Sequence, residues 1–205
     1  MSHRHNPKFL PCIPRGHGRS RTRGSRRWLM AWAIVWAVIA VPCPRAQTSR
    51  PTDYDVKAVY LYNFGRFVEW PSHLTATKTE PFTICVLGQD PFGSALDATL
   101  AGETIAGKSV TTKRISIPQK SDDCQILFVS SAEEPRLVKI METLDKEAIL
   151  TVSDMPEFSQ RGGMIQFVLE GKKVRFEVNL VAVQRAGLAL SSELLKVATT
   201  VRRNP

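Results

Sequence analysis

Three short apolar runs constrain this chain more than any other feature. Phe82–Leu87, Cys124–Val129 and Ala148–Val152 are five or six residues long and carry no charge. A strand with one wet face alternates polar and apolar residues. A run that is apolar at nearly every position is buried on both faces, as in a parallel sheet. Stretches with helical spacing separate the runs, and such alternation builds an α/β domain with right-handed crossovers.

The rest of the chain fits that frame. Thr52 and Asp55 stand in capping-box spacing, which starts a helix. Val56, Val59, Tyr60, Asn63, Phe64, Phe67 and Val68 then recur at helical intervals, and Leu61 widens the face. Trp70-Pro71 ends that helix, because the residue before a proline is pushed out of the helical region. Ser72 to Glu80 reads as a polar loop. Asp90-Pro91 reads as the start of a second helix, whose inner face is Phe92, Ala95, Leu96, Thr99 and Leu100. Lys108 to Ile117 alternates weakly, as at a sheet edge. Ser131 with Glu134 opens a helix with the stripe Leu137, Ile140, Met141, Leu144. Met164–Leu169 and Lys173–Val178, joined at Glu170-Gly171-Lys172, form a β-hairpin. Asn179 caps a short helix to Gln184. Ser191-Ser192 caps a last one, with Leu194, Leu195, Ala198 and Val201 inward and Arg202-Arg203 at its cation-favouring end. The expected fold is a single α/β domain over residues 47–205. Its sheet is mixed and mainly parallel, flanked by helices, with a C-terminal antiparallel hairpin.

Charge is divided unevenly. Of 28 Lys and Arg, nine lie in residues 1–46, where there is no Asp or Glu; the other 19 balance the 19 acidic residues of the body. A nucleic-acid surface needs several unopposed cations to displace phosphate counterions, and the body has no such excess. The basic stretch instead precedes Trp28–Val41, fourteen uncharged residues. At 1.5 Å per residue these span about 21 Å, short of the roughly 30 Å hydrocarbon core of a membrane. Basic region, short apolar stretch and Ala46 make residues 1–46 a secretory leader, with a retained anchor as the alternative. Ser25-Arg26-Arg27-Trp28-Leu29 adds a weak twin-arginine hint. Cys43 is poorly placed for a lipoprotein signal, and Met30 is an alternative start.

Export changes how the cysteines read. Cys12 and Cys43 leave with the leader, so Cys85 and Cys124 remain. In an oxidising compartment two thiols most simply pair; the alternative is two buried free thiols.

Catalytic patterns are sparse. Gly88-Gln-Asp-Pro-Phe-Gly93 follows a strand, but its glycine spacing is not that of a dinucleotide cradle and no Lys-Ser/Thr follows. His73 is the only histidine after the leader, which leaves neither a metal cluster nor a base for a Ser or Cys nucleophile. No cofactor is implied. Ser153-Asp154 lies where α/β enzymes place ligand contacts, yet a turn and cap explains it better. Glu69 beside Trp70 has no paired carboxylate. Tyr60, Tyr62, Phe64, Phe67 and Trp70 read as core rather than a cofactor box. The residues thus describe a secreted binding or regulatory module rather than an enzyme.

Seven motifs in order resemble the YfiR family of periplasmic proteins. They are Val56–Phe64 with Phe67-Val-Glu-Trp-Pro71, Ile84–Gly88 with Asp90–Gly93, Cys124–Val129, Leu150–Asp154, Gly162–Ile165, Arg175–Asn179 and Gly187–Leu195. The resemblance runs from about Tyr54 to Arg202. It implies a repressor that binds the periplasmic sensor region of an inner-membrane diguanylate cyclase, and that an outer-membrane lipoprotein sequesters. It implies a homodimer, and a disulfide between Cys85 and Cys124. Some members carry a second cysteine pair, where this chain has Ser159 and Gln166. A repressor of this kind needs an apolar patch rather than a catalytic group. Val178–Val183 is richer in apolar residues than a surface helix requires, so Glu177, Leu180 and Val183 are the expected partner contacts. Two other functions remain open: a ligand-sensing domain acting on another membrane protein such as a histidine kinase, and an enzyme built around Asp154.

Overall fold

The structure, a computed structural model, describes residues 51–71, 80–145 and 147–203. The expected leader of residues 1–46, most of the 72–80 loop and His73 lie outside them.

The first helix, α1 (Asp53–Phe67), starts at the expected capping box. Thr52 Oγ1 accepts from the Asp55 amide, and the Asp55 carboxylate accepts from the Thr52 amide at 2.6 Å. Such a cap stabilises a helix by about 1 kcal/mol. The inward face is offset from the expected stripe: Lys57, Ala58, Leu61, Phe64 and Gly65 are buried, whereas Val59 is 48% exposed. Gly65 permits close approach, because a Cβ there would lie 2.6 Å from Ile105 Cδ1. The helix ends at Phe67, three residues before the expected Trp-Pro exit. Two local contacts explain this. Strand β1 (Val68–Glu69) is already paired with a later segment, and the Trp70 indole N–H donates back to the Gly65 carbonyl at 3.2 Å.

The central sheet runs through β2 (Phe82–Leu87), β3 (Thr104–Ile105), β4 (Lys108–Ile115), β5 (Ile126–Val129), β6 (Leu150–Ser153), β7 (Ile165–Glu170), β8 (Lys173–Asn179) and β10 (Thr200–Arg202). Its spatial order is β10-β8-β7-β6-β5-β2-β4-β3. Strands β4, β2, β5, β6 and β7 are parallel neighbours, and β7–β8 is the expected antiparallel hairpin. A separate two-stranded ribbon joins β1 to β9 (Ala189–Leu190). The fold is the mixed α/β domain the apolar runs required.

Strand order departs in opposite directions from β2. The chain first moves to β4 through α2 (Ser94–Leu100), and later from β5 to β6 through a 3-10 turn (Ser131–Arg136) and α3 (Leu137–Thr143). Right-handed crossovers therefore put α2 and α3 on opposite faces. The burial agrees. Leu96 and Leu100 join α1 over Phe82, Ile84, Val86, Ile126 and Phe128. Leu137, Ile140 and Leu144 pack with Leu87, Leu127 and Val129 around the Cys85–Cys124 pair. Those two cysteines form a disulfide with a Cα–Cα distance of 5.8 Å.

Further expected helix limits are corrected: the helix expected to open at Ser131 begins as a 3-10 turn capped by Ser130 and becomes α-helical only at Leu137. The second helix starts at Ser94, not at Asp90-Pro91. The Asp90 carboxylate accepts from the Phe92 amide at 2.8 Å, and the Phe92 ring packs edge-on against Tyr54 and Phe128, with centroids 5.4 and 4.8 Å away. The last helix, α5 (Ser192–Val197), stops before Ala198. The Thr199 amide and hydroxyl both donate to the Phe176 carbonyl, at 2.9 and 3.0 Å, and start β10 beside β8. Val201 is therefore a strand residue, and Arg202 lies on the edge strand rather than at a helix end.

Candidate functional site

In open parallel sheets, ligands bind outside the carboxyl ends of the strands where the strand order reverses. Here that point lies between β2 and β5, where their following loops diverge to opposite faces. It is filled from within. Glu133 on the 3-10 turn is buried, and its carboxyl group lies against Gly88, where any Cβ would collide with it. Gly88 has φ +87°, so the position excludes a side chain on backbone grounds too. Arg136 pairs with Glu133. The Gly88–Gly93 loop is equally committed: Arg114 donates to the Asp90 carboxylate, to the Gly93 carbonyl and to both oxygens of Asp97. Arg114, with help from Thr112, holds the Asp97 carboxyl below the ordinary carboxylate range.

Asp154 follows β6 at the same end of the sheet, and its partners come from α1. Its Oδ2 accepts from Lys57 Nζ at 2.6 Å and from the Tyr54 hydroxyl at 2.8 Å. Lys57 Nζ also stands 4.1 Å from the centre of the Tyr54 ring. The Lys57 and Asp154 side chains are only 7% and 13% exposed. Burial, and then the Asp154 carboxylate, push the Tyr54 hydroxyl up to about 12. It therefore stays protonated and donates. Ser153 is buried, donating to the Val129 carbonyl at 2.7 Å and accepting from the Met155 amide. The Ser153-Asp154 pair thus turns the chain, as expected, and also fastens α1 to the sheet. The rings of Tyr60, Phe64, Phe167 and Phe176 stack and tilt against one another in the core.

The remaining sites converge on one sheet face. Helix α3 and its neighbours cover β2, β5 and β6 on that face but not β8, where Arg175, Glu177 and Asn179 are half-buried and polar. The 154–163 segment reaches this face through hydrogen bonds. The Ser159 amide and hydroxyl both donate to Gln166 Oε1, at 3.1 and 3.2 Å, and the hydroxyl also meets Glu177 Oε2 at 3.2 Å. Asn179 Nδ2 donates to the Ser159 carbonyl at 2.8 Å. Ser159 and Gln166 are therefore in contact. On the other flank, the guanidinium of Arg202 lies 3.6 Å from the Glu177 carboxylate.

The expected contact residues divide here. Asn179 caps α4 (Leu180–Arg185) by accepting from the Ala182 amide. Glu177 is on the polar face, and Leu180 is half-buried at the start of α4. Val183 is fully buried, so it supports the helix from beneath and presents nothing to a partner. Sequence reasoning missed Lys57 and Arg202. Lys57 interrupts an apolar helix, and Arg202 follows a β-branched Thr-Thr-Val run that signals a strand; both signals were available.

Among the described residues no three His, Cys, Asp or Glu side chains gather at metal-binding distance. No described helix is long and apolar enough to cross a membrane.

The described residues thus form a disulfide-linked α/β domain with a plugged switch point and a polar, half-buried β8 face. The YfiR/HmsC-like family model matches residues 54–199, and the chain belongs to that family. The family consists of periplasmic regulators of cyclic-di-GMP signalling rather than enzymes. Among solved structures, a conserved domain protein from Vibrio cholerae O1 biovar El Tor aligns with TM-score 0.51 and 9% identity over 75% of this chain. This chain spans 62% of that protein's length, and the likeness concerns the fold alone. An ABC domain in complex with L-Trp, from Streptococcus pneumoniae, aligns with TM-score 0.41 and 15% identity over 58% of this chain and 55% of its own.

Proposed function

We propose that residues 1–46 export this chain to the periplasm, where residues 47–205 repress an inner-membrane diguanylate cyclase. Repression works by binding the cyclase's periplasmic sensor region, which limits cyclic-di-GMP synthesis. An outer-membrane lipoprotein competes for the repressor, and the repressor acts as a homodimer. No catalytic step, cofactor or nucleic acid is needed.

The observation that carries this reading is the family match over residues 54–199. The site geometry supports it. The crevice where an α/β enzyme would hold its substrate is taken up by Glu133, whereas the β8 face and the start of α4 leave Glu177 and Leu180 at the surface. A protein that acts by occupying a partner needs differential affinity for two partners, not turnover.

The test is cellular cyclic-di-GMP in a strain lacking this gene, compared with the same strain complemented. A rise that complementation reverses is expected. Unchanged cyclic-di-GMP, with export of the protein verified in the complemented strain, would overturn the cyclase reading. It would point instead to sensing on behalf of another membrane protein, such as a histidine kinase.

A further inference from the structure

Beside the Glu177 network lies a cavity of about 360 Å³, lined among others by Gln160, Asn179, Val181, Ala182, Arg185 and Arg202. That volume is in the range of small-molecule sites. Its chemistry is one-sided: two guanidinium groups and two side-chain amides line it, and no carboxylate does.

Arg202 is incompletely satisfied. Its only ionic partner among the described residues, Glu177 Oε2, is 3.6 Å from Nη2, beyond hydrogen-bond length. Glu177 Oε2 is meanwhile shared with the Ser159 hydroxyl. The Arg202 Nε is buried and has no hydrogen-bond partner, the one such side-chain atom among the described residues. A buried donor without a partner is costly, and native proteins rarely leave one. Arg185 makes no ion pair with another described residue. A guanidinium offers parallel N–H groups that match the two oxygens of a carboxylate, and two of them in one cavity select an anion.

We propose that this cavity binds a small organic carboxylate, with the terminal nitrogens of the Arg202 guanidinium as its anchor and with Arg185 as the second cation. The apolar wall of Val181 and Ala182 takes the ligand's carbon skeleton. A carboxylate on Arg202 competes with Glu177 for the same guanidinium and frees Glu177 beside Leu180. Occupancy would therefore change the surface assigned above to partner binding. That last step rests on the proposed function; the binding itself does not.

The binding is tested on the intact chain alone, with succinate and inorganic phosphate as probes. The readout is the Arg202 Nε–Hε resonance in ¹H–¹⁵N spectra, alongside the melting temperature. Expected is a saturable shift of that resonance with succinate. Arg202→Gln should weaken succinate binding at least tenfold, followed through the Arg185 Nε–Hε resonance, and Arg185→Gln should weaken it to a lesser degree, while each variant keeps the parent's amide spectrum elsewhere. Succinate saturating well below phosphate supports the carboxylate assignment. Equal, non-saturating shifts with both anions that vanish in added sodium chloride mean an adventitious ion only, and overturn it. So does an unchanged succinate response in Arg202→Gln. Because no partner is present, failure here leaves the cyclic-di-GMP experiment standing, and failure there leaves this one standing.

Discussion

One face of the sheet is built in two ways. Over β2, β5 and β6 it is sealed: Leu87, Leu127 and Val129 lie under Leu137 and Ile140, and the Cys85–Cys124 disulfide runs through the same cluster. Over β8 it is polar and partly covered by the 154–163 segment, and its contacts are hydrogen bonds and one loose ion pair among Ser159, Gln166, Glu177, Asn179 and Arg202. The opposite face of the same strand, Val174, Phe176 and Val178, is as buried as any part of the core. Apolar packing and the disulfide thus hold the sealed half, and polar contacts hold the β8 half.

Removing the disulfide tests the sealed half most severely. Cys85 and Cys124 are 39 residues apart, and closing such a loop contributes about 4 kcal/mol in the chain-entropy model. Replacing both by Ser is expected to lower unfolding stability by that order in urea. A loss below about 1 kcal/mol would show that the sealed half does not depend on its covalent tie.

Asp154→Ala comes next. It leaves the buried Lys57 ammonium without its partner, at an expected cost of about 3 kcal/mol. Combining it with Lys57→Met should recover much of the loss. If the double variant is as unstable as the single one, the pair is not a unit.

The alkaline limb of the stability curve probes the same contact more gently. Tyr54 is raised from 10.0 to about 12, so it favours the native state at all pH values below about 10. That contribution is lost between about pH 10 and pH 12, as the hydroxyl ionises. In an ultraviolet titration Tyr54 should ionise after an ordinary tyrosine, and Tyr54→Phe should remove the late step. A single common tyrosine transition near pH 10 would break the assignment.

The surface of the β8 half is expected to respond least in stability and most in binding. Leu180→Asp, at the half-buried start of α4, should shift the melting temperature by no more than a few degrees while abolishing partner capture from envelope extracts. Global unfolding of that variant would place Leu180 with Val183 in the core, and erase the distinction between the halves.

Legibility followed the same division. Strands β2, β5 and β6 were readable because burial on both faces leaves an uncharged run in the sequence. The β7–β8 hairpin was readable from alternation and from the turn at Gly171-Lys172, and the caps of Thr52, Asn179 and Ser191 from local side-chain chemistry. What failed depended on distant partners. The inward face of α1 was misread because Lys57 appears to be a surface residue until Asp154, 97 positions away, neutralises it. The start of α2 was misplaced because Asp90 and Phe92 are claimed by Arg114 and Phe128. Of the three expected contacts, Glu177 and Leu180 are half-buried and Val183 is fully buried, and Arg202, expected at a helix end, lies on a strand.

Local periodicity, capping and residue size are properties of neighbouring residues, and they were enough to specify an α/β domain with a parallel sheet and a C-terminal hairpin. Burial is a property of what the rest of the chain brings near. Only the assembled sheet could bury Val183, pair Lys57 with Asp154, place Glu133 in the switch-point crevice and bring Ser159 onto the polar face of β8.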